Sequence, residues 1–143
     1  MRLKQISVFL ENKAGRLAEV TKLLGDAGIN LRALSLADTI DFGVLRLIVD
    51  NPEKALDVLK ESGFTASQTE VLGVEVPDRP GGLAGILQLL APEGINVEYM
   101  YAFVEKSGDN ALVVFRVEEV DRTIDLLQRA GVKLVKAEDL YKL

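Results

Sequence analysis

The chain has no cysteine and no histidine. Without cysteine there is no disulfide, no thiolate nucleophile and no thiolate-held zinc or iron–sulfur cluster. Without histidine go the commonest general base, the usual Ser-His-Asp triad and the commonest transition-metal ligand. Carboxylate or lysine chemistry is all that remains, and no acidic pair stands at a suggestive spacing. The sequence therefore points to no catalytic residue, no metal ligand and no cofactor. Long apolar runs are missing too: none approaches the ~18 residues of a membrane span. The opening Met1-Arg2-Leu3-Lys4-Gln5 lacks the apolar core of a secretory signal. A cytoplasmic protein that does not enter a membrane is the expectation. Positive charge is also short, with 17 basic against 22 acidic residues and a net charge of −5. No electrostatic footprint for nucleic acid is present.

What the chain does contain is a repeat, the feature to seek before any fold is assigned. Asn12-Lys-Ala-Gly15-Arg-Leu17 matches Asp78-Arg-Pro-Gly81-Gly-Leu83, and Gly28-Ile29-Asn30 matches Gly94-Ile95-Asn96. Both pairs share one offset of 66 residues (81 − 15 and 94 − 28). Leu56, Leu59 and Gly63 match Ile124, Leu127 and Gly131 at an offset of 68. Two residues are thus inserted in the second copy, most naturally at the turn-type cluster 106–110. A chain of 143 residues holds two such copies of about 70 each, units small enough to need shared buried surface. The expected division is 1–69 and 70–143.

Each copy reads alike. Ile6, Val8 and Leu10 alternate with Gln5, Ser7 and Phe9, the period of a strand with one buried face. A loop ending at Gly15 follows, then a helix with Leu17, Val20, Leu24 and Ala27 on one stripe and Gly28 as its stop. Residues 31–37 and 44–49 read as strands joined by a connection at 38–43. Asn51-Pro52 sets a capping side chain before a first-turn proline, and a second helix ends near Gly63. The second copy repeats this with a strand to Val76, a helix from Leu83, strands near 97–104 and 112–117, a helix over 121–130 and a strand over 132–135. Only residues 64–76 are left for the last strand of one copy and the first of the next, so one is very short or a single strand serves both sheets. The tail 138–143 aligns with 70–75 and suggests one more strand segment. Met100 is expected to face the core, and Tyr99 and Tyr101 to share a strand face at a core edge or interface. The expected fold is α+β: two tandem ferredoxin-like βαββαβ units, each an antiparallel sheet with helices on one face.

A Gly-x-Leu opening the first helix and a Gly-Ile-Asn closing it, twice over, resemble the ACT domain across the whole chain. The motif stands in full as Asp78-Arg79-Pro80-Gly81-Gly82-Leu83 with Asn96. In the first copy it stands as Asn12-Lys13-Ala14-Gly15-Arg16-Leu17 with Asn30, alanine replacing proline. The resemblance implies regulatory binding of an amino acid or related small molecule at an interface between paired ACT units, in a homodimer. A module docking on a metabolic enzyme without its own ligand is the alternative it leaves.

The residues themselves suggest why. A glycine before a helix lets a ligand approach the backbone, and the helix start offers unpaired N–H groups and partial positive charge to a carboxylate. Asn12 or Asp78 stands beside that turn to orient the ligand's polar groups. Topology puts Asn12 and Asn30 at opposite ends of one sheet, so a pocket uniting such residues needs two units. Asp78 against Asn12 and Arg16 against Gly82 make the two sites unequal. Plain structure accounts for the same residues in other ways: Gly15, Gly81, Asn30 and Asn96 as turn residues, Asn12 and Asp78 as helix caps.

Overall fold

The computed structural model describes residues 1–38 and 42–140, and the middle of the expected 38–43 connection lies outside them. The chain divides into two compact units. The first unit is Lys4–Thr69; the second is Met1–Leu3 together with Glu70–Leu143.

In the first unit, β1 (Arg2–Glu11), α1 (Arg16–Asp26), β2 (Leu31–Asp38), β3 (Phe42–Val49) and α2 (Pro52–Glu61) lead into β4 (Thr65–Pro77). β3 lies between β1 and β2 and is antiparallel to both, with Val8 opposite Leu45 and Ile6 opposite Leu47. Those four side chains point to the face that α1 and α2 cover. Val20 and Leu24 of α1 and Ala55 and Leu59 of α2 close over them in one apolar core. Burying each such Leu or Val is worth about 1.5–3 kcal/mol. α1 stops as its glycine suggests. Gly28 takes φ +75, Ile29 N–H donates to Leu24 O at 3.0 Å, and Gly28 N–H donates to Gly25 O at 3.0 Å. That pattern of crossed bonds closes the helix's last carbonyls. α2 starts as its proline suggests, with Asn51 Oδ1 accepting from Lys54 N–H at 3.2 Å.

β4 is one continuous strand of 13 residues, its first part in one unit and Glu70–Pro77 in the other. The second unit continues with α3 (Gly82–Leu90), a 3-10 turn (Ala91–Glu93), β5 (Val97–Ser107), β6 (Asn110–Val117), α4 (Val120–Arg129) and a short α5 (Ala137–Leu140). β6 lies between β4 and β5, antiparallel to both. Leu72, Val74, Phe115 and Val117 meet Ile86, Leu90 and Leu127 in the second core. The fold is α+β, with antiparallel sheet and helices arranged twice as βαββαβ.

Four expectations need correction. The strand at 132–135 shrinks to one bridge, Val74 to Leu134, held by Glu75 N–H to Lys133 O and Val135 N–H to Gly73 O. Toward Gly131 the next N–H that the ladder calls for on that edge would be that of Pro77, which has none to give. The tail is helical at Ala137–Leu140 where a strand segment was expected; its last residues, 141–143, are not among those described. Met100 is 37% exposed, although Phe115, which stands opposite it across the sheet, is buried in the core. Finally, β1 is buried on both faces near its middle, since Gln5 and Ser7 are also buried. Gln5 Nε2 donates to Ser7 Oγ at 3.3 Å, which keeps those polar groups partnered.

Candidate functional site

The two helix openings are built on the same backbone plan. In the first unit Lys13 N–H donates to Glu11 O at 2.9 Å and Arg16 N–H to Lys13 O at 3.4 Å. In the second, Arg79 N–H donates to Pro77 O at 2.9 Å and Gly82 N–H to Arg79 O at 3.0 Å. Each turn ends on a glycine in the left-handed region, Gly15 at φ +90 and Gly81 at φ +82. A side chain there costs roughly 1–2 kcal/mol, which explains both glycines. These glycines occupy the cap positions, so Asn12 and Asp78 are not the caps of α1 and α3. A glycine has no side chain with which to cap, so neither Gly15 nor Gly81 gives its helix the closure that Asn51 gives α2.

Two crevices flank each opening. In the second unit, one of about 450 Å³ is lined by Val76, Asp78, Arg79, Pro80, Leu83 and Val113, among others. It has an apolar floor of Val76, Leu83 and Val113, and charged Asp78 and Arg79 exposed at the rim. The other, about 460 Å³, lies toward Gly82, Gly85, Leu89, Asn110 and Val132, with Glu75 and Lys133 at its edge. In the first unit the corresponding crevices are smaller, about 60 Å³ beside Asn12 and Leu17 and about 300 Å³ beside Gly63 and Phe64.

The two openings differ most at one position. Gly82 is buried, and a Cβ on it would lie 2.0 Å from Pro77 O, so no side chain fits. Its counterpart is Arg16, whose Nη2 reaches Glu11 at 3.3 Å and whose Nη1 reaches Glu19 at 3.0 Å. Lys13 also reaches Glu11, at 3.2 Å. The Lys13 hydrogen bond and charge, followed by the Arg16 charge, hold the Glu11 carboxyl below its ordinary range.

The expected site residues fall into two sets per unit. Asn12, Ala14, Gly15, Arg16 and Leu17 gather at one opening, and Asp78, Pro80, Gly81, Gly82 and Leu83 at the other. Asn12 and Ala14 are exposed, Arg16 is half-buried, and Leu17 is 38% exposed, off the stripe expected of it. Asn30 and Asn96 are exposed and stand elsewhere. The register of β3 puts Asn12 beyond its Phe42 end and Asn30 beyond its Val49 end, about 23 Å apart at strand spacing. Asn30 is fixed there by its own N–H, which donates to Asp50 Oδ1 at 3.0 Å. Asp78 and Asn96 are separated in the same way along β6.

Sequence reasoning missed Glu11 and Glu19 as partners of Arg16. Setting them beside Pro77 and Gly85 at the 66-residue offset shows the charge. It also missed Arg32, which is 8% exposed at a bulge in β2 two residues beyond Asn30. Among the described residues its Nε and Nη2 have no hydrogen-bond partner. The signal was an arginine opening an otherwise apolar strand. Among the described residues there is no cluster of acidic groups that suits a metal ion, and no helix is long and apolar enough to cross a membrane.

Two βαββαβ units in tandem, each with a glycine-opened helix flanked by crevices, define the class of paired ferredoxin-like domains. The chain belongs to the ACT domain family: the model for an ACT domain pair matches residues 1–143. A solved structure, protein BT0572 from Bacteroides thetaiotaomicron, is 47% identical with a TM-score of 0.93, covering 100% of this chain and 98% of that one. The regulatory subunit of aspartate kinase from Thermus thermophilus, in its ligand-free form, is 21% identical with a TM-score of 0.64, covering 89% and 91%. That from Thermus flavus is 18% identical with a TM-score of 0.60, covering 90% and 92%. At those identities the two Thermus structures speak for the fold. The search of curated proteins found no match.

Proposed function

We propose that this chain is a regulatory protein, not a catalyst, that binds a free α-amino acid at its glycine-opened helices. The observation that carries the reading is the crevice at the Gly81 opening. A helix start whose cap residue, Gly81, has no side chain, together with Arg79, favours a carboxylate. The Asp78 carboxylate, with several lone-pair positions, favours an ammonium. Val76, Leu83 and Val113 then receive an aliphatic side chain. A neighbouring ACT unit in a homodimer closes the pocket with its strand-opening asparagine, Asn30 or Asn96, as the family resemblance implies. Binding there shifts the assembly only through differential affinity for its states. Domain limits of 1–69 and 70–143 and a cytoplasmic setting belong to the same reading.

Thermal denaturation against the 20 amino acids tests it. A true ligand at a hundred times its dissociation constant stabilises by about 2.7 kcal/mol, and valine, leucine or isoleucine is expected to lead. No shift from any of the 20 at millimolar concentration refutes the reading. A second reading has an observation of its own: Leu34 and Leu36, on one face of β2, are both exposed, apolar surface of the kind a protein partner covers. Under it the chain docks on a metabolic enzyme and binds no small molecule. An enzyme that co-purifies and changes activity with the chain, with no amino acid effect, decides for it.

A further inference from the structure

We infer that the two openings are not equivalent: Arg16 fills the first, and the chain takes one ligand, at the Gly81–Gly82 opening. The inference rests on the reading above and adds to it a stoichiometry and the residue that sets it.

Three positions differ together. Glu11, Arg16 and Glu19 in the first unit stand where Pro77, Gly82 and Gly85 stand in the second. A lone arginine at a ligand opening would attract a carboxylate. This one is already bound to two carboxylates of its own unit, at 3.3 and 3.0 Å. Both terminal nitrogens of the guanidinium are thus engaged where an incoming carboxylate would bind, and only its buried Nε is left without a partner among the described residues. The fill is physical as well as electrostatic. Arg16 and Glu11 line both crevices of the first unit, which measure about 300 and 60 Å³. Around Gly82 the matching spaces measure about 460 and 450 Å³.

The backbone follows suit. With a side chain to house, the first turn is looser, Arg16 N–H lying 3.4 Å from Lys13 O against 3.0 Å for Gly82 N–H to Arg79 O. The tight second turn has no space for a Cβ at all, so it stays unplugged. A ligand entering the first opening must displace the guanidinium from Glu11 and Glu19. A ligand entering the second displaces water.

Equilibrium dialysis of the whole chain with radiolabelled L-valine, L-leucine and L-isoleucine tests this. Wild type is expected to saturate at one equivalent per chain and Arg16→Gly, which recreates the Gly-Gly turn, at two. Glu11→Gln with Glu19→Gln frees the guanidinium without removing it; should Arg16→Gly not fold, this double variant is expected to gain the second equivalent. Two equivalents in wild type overturn the asymmetry while leaving amino-acid binding intact. One equivalent in wild type and in the folded variants alike overturns the role of Arg16. No binding of the three by wild type overturns this inference and the aliphatic reading on which it rests.

Discussion

Gly82 and Gly85 stand three residues apart on α3, yet the same substitution acts on them in opposite directions. A Cβ on Gly82 meets Pro77 O at 2.0 Å, a backbone atom that cannot swing aside. Gly82→Ala is therefore expected to cost about 1–3 kcal/mol through overpacking. A Cβ on Gly85 meets nothing within 4 Å, and alanine in a helix interior gains about 0.5–1 kcal/mol. Urea denaturation of the two variants checks this, and equal effects would contradict the packing at the opening. Glu11 offers a second check. Its folded pKa is depressed, so what its ionised form adds to stability is present above the ordinary unfolded value and is lost as pH falls through the folded one. In a carbon-detected NMR titration, Lys13→Ala should raise the Glu11 pKa further than Arg16→Ala, because Lys13 supplies the leading causes. The reverse order would mean that Arg16 dominates the cluster.

Elements were legible wherever a local device sets them. The Asn51-Pro52 start of α2 and the Gly28 stop of α1 each follow from one or two residues acting on their own backbone. Asn51→Ala is thus expected to cost about 1 kcal/mol by the loss of its cap. Glu119→Ala should cost less, since no side-chain bond from Glu119 caps α4; thermal denaturation separates the two. The elements misread were those decided by a distant strand. Val132 and Val135 carry strand-forming side chains, yet their ladder stops at one bridge: the register that sets Leu134 opposite Val74 brings Gly131 to Pro77, far away in sequence, which has no N–H to give. Met100 stands opposite the buried Phe115, and whether such a position is covered depends on neighbours that its own alternation does not name. Gln5 and Ser7 look solvent-facing by period, and their burial depends on what lies over the sheet. The candidate site was legible to the same degree. The Gly15 and Gly81 turns follow from their motif, while the salt-bridged fill at Arg16 and the closed space at Gly82 depend on side chains meeting across the loop.

At the scale of the whole chain, sequence order and structural membership part company at the N-terminus. Met1, Arg2 and Leu3 belong with Glu70–Leu143 although they open β1. Met1 Sδ accepts from Gln128 Nε2 at 2.9 Å, and Arg2 pairs with Glu70 and Asp121. Arg2 is nearly half exposed, so solvent screens its ion pairs and they add little stability. Leu3 is different: it is 1% exposed, and its Cδ1 and the Val135 side chain close in on the space at Gly73, where a Cβ would lie 3.0 and 2.9 Å from them. Leu3→Ala should therefore cost about 2–5 kcal/mol as a buried truncation, and Arg2→Ala much less. The location of the damage is the sharper test. Hydrogen exchange should speed up first at Glu75 and Val135, whose N–H groups hold the 133–135 segment to β4. Ile29 and Phe64, whose N–H groups close the helices of the first unit, should keep more of their protection. If Leu3→Ala exposes Ile29 and Phe64 before Glu75 and Val135, the N-terminal residues support the unit they precede in sequence, and the assignment of Met1–Leu3 to the second unit is wrong.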